Sequence, residues 1–252
     1  MMRPELTVRE VVVRYGTVTG LDRVSVTVPG GGVLALVGES GSGKSTLLRT
    51  LNRTVRIASG TVMIGGVDTA TVDVVALRRR VGYVPQAGGL VPHWTVERNV
   101  ALVPSLTGHP TPREAARIAL ARCELPPDRF ADRYPDQLSG GQRQRAAIAR
   151  ALAAEQELLL LDEAFGALDA ITRDALLDSF AELRSTLGTT TVLVTHDLGE
   201  AARLADTVAV LREGRIEQCA PMAALRATPA TPYVAQLVER ATRVARHVVG
   251  SA

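Results

Sequence analysis

The sequence is almost without lysine: of 29 Lys and Arg residues, Lys44 is the single lysine. Its 35 alanines and its arginine-heavy usage are what a GC-rich coding sequence produces, which leaves the survival of one lysine to be explained. Net charge is low as well, at +3, too small a surplus for a nucleic-acid footprint. There are two cysteines, Cys123 and Cys219, far apart and without metal-ligand spacing, so free thiols in a reducing compartment are expected. The sequence has no run of about 18 apolar residues, the length needed to cross a bilayer. The opening MMRPELTVRE has no apolar core of a signal peptide. Glycine and proline, 22 and 13 residues, are too few for a low-complexity chain. The expectation is a soluble intracellular protein without internal repeats or a dividing linker, long enough to bury a substantial core.

The pattern that is present is alternating α and β. Residues 5–15 (LTVREVVVRYG) and 24–28 (VSVTV) alternate and are β-branched, which predicts strands joined by a glycine-bearing turn. Residues 33–38 (VLALVG) form a short apolar run suited to a fully buried strand. Further strand-like pieces fall at 61–64, 81–84, 158–161, 191–195 and 207–211, the later ones separated by helical patterns. A mainly parallel sheet covered by helices follows. From about 94 to 157 the pattern is helical throughout (96–103, 113–123, 141–154), which predicts an inserted all-helical segment. The tail at 231–248 reads as another helix, with Arg240, Arg243 and Arg246 on a face that a solvated basic surface explains.

Between the buried strand and the next helix lies GESGSGKST, Gly38 to Thr46, matching G-x-x-x-x-G-K-[ST] at Gly38, Gly43, Lys44 and Ser45. Glycines permit the tight path that aims successive backbone N–H groups at phosphate oxygens. The helix starting near Lys44 adds its positive dipole end. Lys44 is expected to neutralise β- and γ-phosphates and the Ser45 hydroxyl to ligate Mg²⁺. A compact ammonium fits such a cradle where the broad guanidinium fork does not, which accounts for the one lysine.

Residues 158–163 (LLLLDE) are an apolar strand ending in two acids. Downstream of a phosphate loop, Asp162 is expected to hold Mg²⁺ through its water shell, and Glu163 to orient or deprotonate an attacking water. His196 follows the apolar strand TVLVT, and strand ends in a parallel sheet face the nucleotide crevice. In LSGGQRQRAAIARAL, Leu138 to Leu152, Ser139 and two glycines precede a helix. That is either a plain helix N-cap or a second anion site. Because it lies in the helical segment, away from Lys44, two half-sites in one chain argue for completion by a second copy.

These motifs, in this order and along nearly the whole chain, resemble the nucleotide-binding subunits of ABC transporters. GESGSGKST (Gly38, Glu39, Ser40, Gly41, Ser42, Gly43, Lys44, Ser45, Thr46) is similar to Walker A. LSGGQ (Ser139, Gly140, Gly141, Gln142) resembles the ABC signature, and LLLLDE resembles Walker B. Tyr15 resembles the aromatic that stacks on adenine, Gln86 the Q-loop glutamine, Asp169 in GALD the D-loop aspartate, and His196 the switch histidine.

The resemblance implies a P-loop NTPase (ABC ATPase) α/β core with an antiparallel β subdomain and an inserted helical subdomain. One nucleotide-binding domain would fill residues 1–252. Core and β subdomain would occupy about 1–93 and 158–220, the helical signature subdomain about 94–157, and a helical tail about 221–252. ATP and Mg²⁺ are the implied cofactors, with Mg²⁺ at Ser45, Gln86 and Asp162, and Glu163, His196 and Gln86 serving hydrolysis. A head-to-tail homodimer would close Ser139–Gln142 of one copy over ATP held by Lys44 of the other. Its movement would drive transmembrane permease subunits, and indirectly a solute-binding protein, from the cytoplasmic face of the membrane; no nucleic-acid partner is implied. The stretch after Gln86 would receive the permease's coupling helix, and Trp94 suits either that contact or core packing.

The segments GGLVPHWTVERNVALVPSLTG and DEAFGALDAITRDAL resemble importers of glycine betaine, choline and related quaternary amines. Two features depart from them: Ala164 stands where proline is usual, and no pair of regulatory domains follows before Ala252. The alternatives are a subunit serving another small solute, such as amino acids, an exporter, or a soluble ATPase acting on nucleic acid or ribosomes. The last would need a long coiled-coil or zinc insertion, tandem cassettes or a dense basic patch, and the sequence has none of these.

Overall fold

The computed structural model describes residues 3–154, 156–166 and 168–249. Its strands are β1 (Leu6–Tyr15), β2 (Val18–Val28), β3 (Val33–Val37), β4 (Ser59–Ile64), β5 (Val67–Asp68), β6 (Val81–Val84), β7 (Leu158–Asp162), β8 (Thr190–Val194), β9 (Thr207–Arg212) and β10 (Arg215–Ala220). The helices are α1 (Lys44–Leu51), α2 (Val74–Arg79), α3 (Val96–Val100), α4 (Leu102–Leu106), α5 (Pro112–Arg122), α6 (Pro127–Phe130), α7 (Gly140–Leu152), α8 (Ala170–Leu187), α9 (Leu198–Leu204), α10 (Met222–Ala227) and α11 (Pro232–Val249).

The strands form two sheets, in the orders β2-β1-β4-β5 and β10-β9-β3-β8-β7-β6. The first is antiparallel throughout. In the second, β3, β6, β7, β8 and β9 run parallel, and β10 returns antiparallel on β9 at the edge. The architecture is therefore the expected α/β core with an antiparallel β layer, and the chain between β6 and β7 is helical among the described residues.

Apolar alternation explains why the central strands are buried on both faces. On β3, Val33, Ala35 and Val37 enter one core while Leu34 and Leu36 enter the other. Leu159 and Leu161 of β7 side with the first group, and Leu158 and Leu160 with the second. A strand with successive side chains on opposite faces needs cover on both, which is why LLLL is tolerated here. Helices α7, α8 and α9 cover one face, through residues such as Ile148, Leu177 and Leu204. On the other, Leu47, Leu48 and Leu51 of α1 pack with the antiparallel sheet, represented by Val11, Val13 and Leu21.

Three features depart from the sequence expectation. β2 begins at Val18, well before the predicted 24–28, because β1 pairs with it from Tyr15↔Val18 onward. β5 and β10 carry no clear alternation; β10 (RIEQCA) forms because the Glu213–Gly214 turn folds it back on β9. The first turn of α11 is pinned by Val234, fully buried, with Leu237 and Val238 packed on the core. Arg240 and Arg243 are exposed, and the Arg246 side chain lies outside the described residues.

Candidate nucleotide site

Parallel pairing brings the carboxyl ends of β3, β7 and β8 together, since Leu36 and Asp162 both register with Val194. Whatever follows these strands must converge at one edge of the sheet, the crevice where open α/β sheets bind ligands. After β3 comes the phosphate loop, after β7 Glu163, and after β8 His196. Two backbone bonds tie the three ends: Thr195 N–H donates to Leu36 O at 3.1 Å and Glu163 N–H to Val194 O at 3.0 Å.

The loop has a glycine where the chain needs one. Gly43 precedes α1 at φ 104°, and a Cβ there would lie 2.9 Å from the Gly20 carbonyl. No side chain caps α1, so its first-turn amides remain directed at the loop. Ser42 is buried, its amide bonded to Glu39 O at 3.2 Å and its carbonyl accepting from Gly214 N–H at 3.0 Å. Ser40 and Gly41 form the exposed tip, and Glu39 is exposed beside it.

Lys44 is 6% exposed and points back into this loop. Its ammonium donates to Gly38 O at 2.8 Å, Glu39 O at 2.7 Å and Ser42 Oγ at 3.4 Å. Burial lowers its pKa from the usual lysine range, and the nearby Glu163, Asp162 and Glu39 charges partly oppose that shift.

Asp162, 2% exposed, is the most heavily coordinated acid of the site. Its Oδ1 accepts from Ser45 Oγ at 2.9 Å; its Oδ2 accepts from Arg49 Nη2 at 3.1 Å and from Tyr83 OH at 3.2 Å. Arg49 and Tyr83 were not recognisable from motifs. Arg49 stands one helical turn beyond Ser45, on the same face of α1, which is the signal that could have found it. Burial pushes the Tyr83 phenol above its ordinary value, so it remains a donor to the carboxylate.

Glu163 has φ 50°, an uncommon left-handed backbone for a non-glycine residue. That turn directs its side chain to Gln86, whose Nε2 donates to Glu163 Oε2 at 2.8 Å. His196 is exposed and leans over the same turn: a Cβ added to Gly166 would lie 3.5 Å from His196 Cε1. Its approach is set by Thr195, which donates to Glu200 Oε2 at 2.5 Å and accepts from Asp197 N–H at 3.0 Å. Tyr15, half exposed, lies against Gly20, where an added Cβ would meet Tyr15 Cε2 at 2.8 Å and Thr46 Cγ2 at 3.6 Å. An apolar ring face thus borders the loop.

The signature segment is elsewhere. Ser139 caps α7 in a capping box with Gln142: Ser139 Oγ accepts from Gln142 N–H at 3.3 Å and Gln142 Oε1 from Ser139 N–H at 3.0 Å. Ser139 and Gly140 are exposed. Gly141 abuts Thr172 so closely that a Cβ would lie 2.3 Å from Cγ2. Thr172 also donates its amide to Asp169 Oδ1 at 3.0 Å, a bond that holds the Asp169 carboxyl below its ordinary pKa. No hydrogen bond among the described residues joins this turn to the phosphate loop. The structure therefore brings together Gly38–Thr46, Gln86, Asp162, Glu163 and His196, and leaves Ser139–Gln142 and Asp169 as a separate group.

Two connections run from the site to the helical segment. Arg150 of α7 forks onto the loop after Gln86, donating to Gly89 O at 2.6 Å and Gly88 O at 2.9 Å. Asn99, fully buried, gathers the next stretch: its Nδ2 donates to Val91, Trp94 and Thr95 carbonyls and its Oδ1 accepts from Val91 N–H. Trp94 is half-buried, with the Arg98 guanidinium 4.3 Å from its ring centroid. No helix among the described residues is long and apolar enough to cross a membrane.

Comparison with known proteins assigns the chain to a family. A family model described as ABC transporter matches residues 21–166. The osmoprotectant import ATP-binding protein OsmV of Salmonella typhimurium is 41% identical over 234 residues, covering 92% of this chain and 61% of that protein. The sulfate/thiosulfate import ATP-binding protein CysA of Mycobacterium bovis is 44% identical over 229 residues, covering 91% of this chain and 65% of that protein. The chain thus spans less than two thirds of the length of both relatives. Among solved structures, the dimeric ATP-binding cassette MJ0796 bound to ADP and Pi superposes with a TM-score of 0.77 at 31% identity, over 86% of this chain and 98% of that one. The chain belongs to the ABC transporter family.

Proposed function

We propose that the chain is the ATP-binding and ATP-hydrolysing subunit of a membrane importer. The observation that carries the reading is the contact between Ser45 Oγ and Asp162 Oδ1, 2.9 Å apart beside the Lys44 cradle. A hydroxyl and a carboxylate are hard oxygen donors, the set that suits Mg²⁺ bridging to phosphates. Ser45, Asp162 and the Gln86 amide would hold the ion, which supplies charge neutralisation of the triphosphate.

The chain's own groups then divide the work. Tyr15 would carry the adenine on its ring face. The loop amides between Gly38 and Thr46 other than those of Glu39 and Ser42, which already have acceptors, and the Lys44 ammonium would bind the phosphate oxygens. Glu163 would take the proton from the attacking water, with Gln86 and His196 orienting it near the γ-phosphate. Ser139, Gly140, Gly141 and Gln142, with Asp169, would complete the site of a second copy, which is why they stand apart from Lys44 in their own chain. That supports a head-to-tail homodimer in which ATP holds the copies together. Residues 1–93 and 158–220 would act as core and β subdomain, 94–157 as the signature subdomain and 221–252 as a helical tail, of which 250–252, like residues 1 and 2 of the core, lie outside the described residues. The segment from Gly88 to Thr95, held by Arg150 and Asn99, would receive the permease at the cytoplasmic face of the membrane.

For the solute, we infer quaternary-amine osmoprotectants such as glycine betaine and choline, on the similarity to OsmV. A different small solute is the second reading, favoured by the 44% identity to CysA. Uptake of labelled betaine at high salt, compared in strains with and without the gene, separates them. Equal uptake counts against the quaternary amines.

A further inference from the structure

We propose that Tyr233, in the first turn of α11, is a positioning residue of the nucleotide site, acting through Lys44. Its hydroxyl accepts the Glu39 amide proton at 3.2 Å. That N–H belongs to the same peptide unit as the Gly38 carbonyl, which accepts from the Lys44 ammonium at 2.8 Å. A peptide plane is rigid, so the bond on one edge fixes where the other edge points. Gly38, at φ 148°, has no side chain to resist rotation of this peptide, and its Cα is backed by the Leu211 carbonyl. The Tyr233 hydroxyl supplies the restraint that the glycine does not.

The tyrosine is itself held. Val234, next to it, is fully buried, and Tyr233 packs on the main core with Leu237 and Val238. The Arg212 guanidinium at the end of β9 lies 5.0 Å from the Tyr233 ring centroid. The Leu211 carbonyl behind Gly38 and the Tyr233 hydroxyl on the Glu39 amide therefore both bear on the Gly38–Glu39 peptide. A helix that the sequence pattern presents only as a solvated tail reaches the phosphate loop, and the carboxy-terminal segment becomes part of the nucleotide site.

The inference rests on the reading that Lys44 binds the β- and γ-phosphates of ATP. Tyr233→Phe keeps the ring, the Arg212 contact and the packing, and removes only the hydroxyl. Binding of ATP and of AMP, measured calorimetrically on the whole chain, then tests the link, because AMP lacks the phosphates Lys44 would hold. We expect ATP affinity to fall about fivefold, the weight of one neutral hydrogen bond, with AMP affinity unchanged. In a Lys44→Ala background the Tyr233→Phe effect on ATP should vanish, as it must for residues acting as one unit. Unchanged ATP affinity in Tyr233→Phe, while Lys44→Ala loses it, overturns the proposal. So does an equal loss for ATP and AMP. Should Lys44→Ala itself bind ATP normally, the nucleotide reading fails instead.

Discussion

Ser45 and Asp162 lie 117 positions apart in sequence, yet Ser45 Oγ donates to Asp162 Oδ1 at 2.9 Å. The bond joins the first turn of α1 to the last residue of β7 and brackets the place where a triphosphate-bound Mg²⁺ would be held. Asp162→Asn keeps the size and leaves one oxygen to accept from Ser45, but removes the charge. Hydrolysis should fall by about a hundredfold or more, since metal-assisted charge stabilisation is worth several kcal/mol. ATP affinity measured with Mg²⁺ should drop to that measured in EDTA. Retention of a Mg²⁺-dependent gain in affinity would remove Asp162 from the metal site.

Glu163 carries a left-handed backbone and a hydrogen bond from Gln86, and is proposed to accept the proton of the attacking water. Glu163→Gln can keep the contact with Gln86 but loses the base. Its turnover should fall by about two to four orders of magnitude. ATP should still bind, and gel filtration with ATP should show a trapped dimer. Wild-type turnover in this variant would show that another group does the work.

Lys44 is enclosed by Gly38 O, Glu39 O and Ser42 Oγ. A planar guanidinium is too broad for that space. Lys44→Arg should therefore lose nucleotide affinity although the charge remains. Normal ATP binding by fluorescence titration would refute the steric account of why lysine survives here.

Arg150 is lowered in pKa by burial, and its fork is satisfied by two backbone carbonyls, Gly88 and Gly89. Lysine offers no fork, so Arg150→Lys should leave one carbonyl poorly paired, at a cost of about 1–2 kcal/mol in urea unfolding. Amide exchange in residues 86–90 should quicken, while exchange in β3 and β7 should not. Unaltered exchange in that loop would show that Arg150 does not hold it.

Burial pushes the Cys123 thiol up to about 12; it also raises the Cys219 thiol, but Cys219 is an exposed residue. In the folded chain Cys123 binds a proton that the unfolded chain releases at lower pH. Its contribution to stability is therefore complete below the unfolded value of about 9 and is lost as pH rises toward 12. At pH 8, iodoacetamide should modify one thiol per folded chain and two in denaturant, read by mass spectrometry. Rapid labelling of Cys123 in the native protein would contradict its burial.

What could be read in the sequence was local. The phosphate loop is a contiguous string whose glycines and lysine act within one turn, so Gly38–Thr46 were recognisable at once. The buried strands read at 33–38 and 158–161 announced themselves by apolar runs, and the Ser139–Gln142 cap by its spacing. Even the scarcity of lysine pointed to Lys44. Contacts among distant elements were decided only by the tertiary structure. Strand pairing puts the ends of β3, β8 and β7 side by side with β6 beyond; β6 brings Tyr83 to Asp162, and α1, following β3, brings Arg49. β10 (RIEQCA) lacks a usable alternation and exists because β9 offers it an edge. Tyr233 has no motif and sits 194 positions from Glu39, yet its hydroxyl reaches that amide because α11 docks on the core beside the loop. Spacing along a chain specifies turns and faces; it does not specify which distant face a helix covers, which depends on the whole of the packed core.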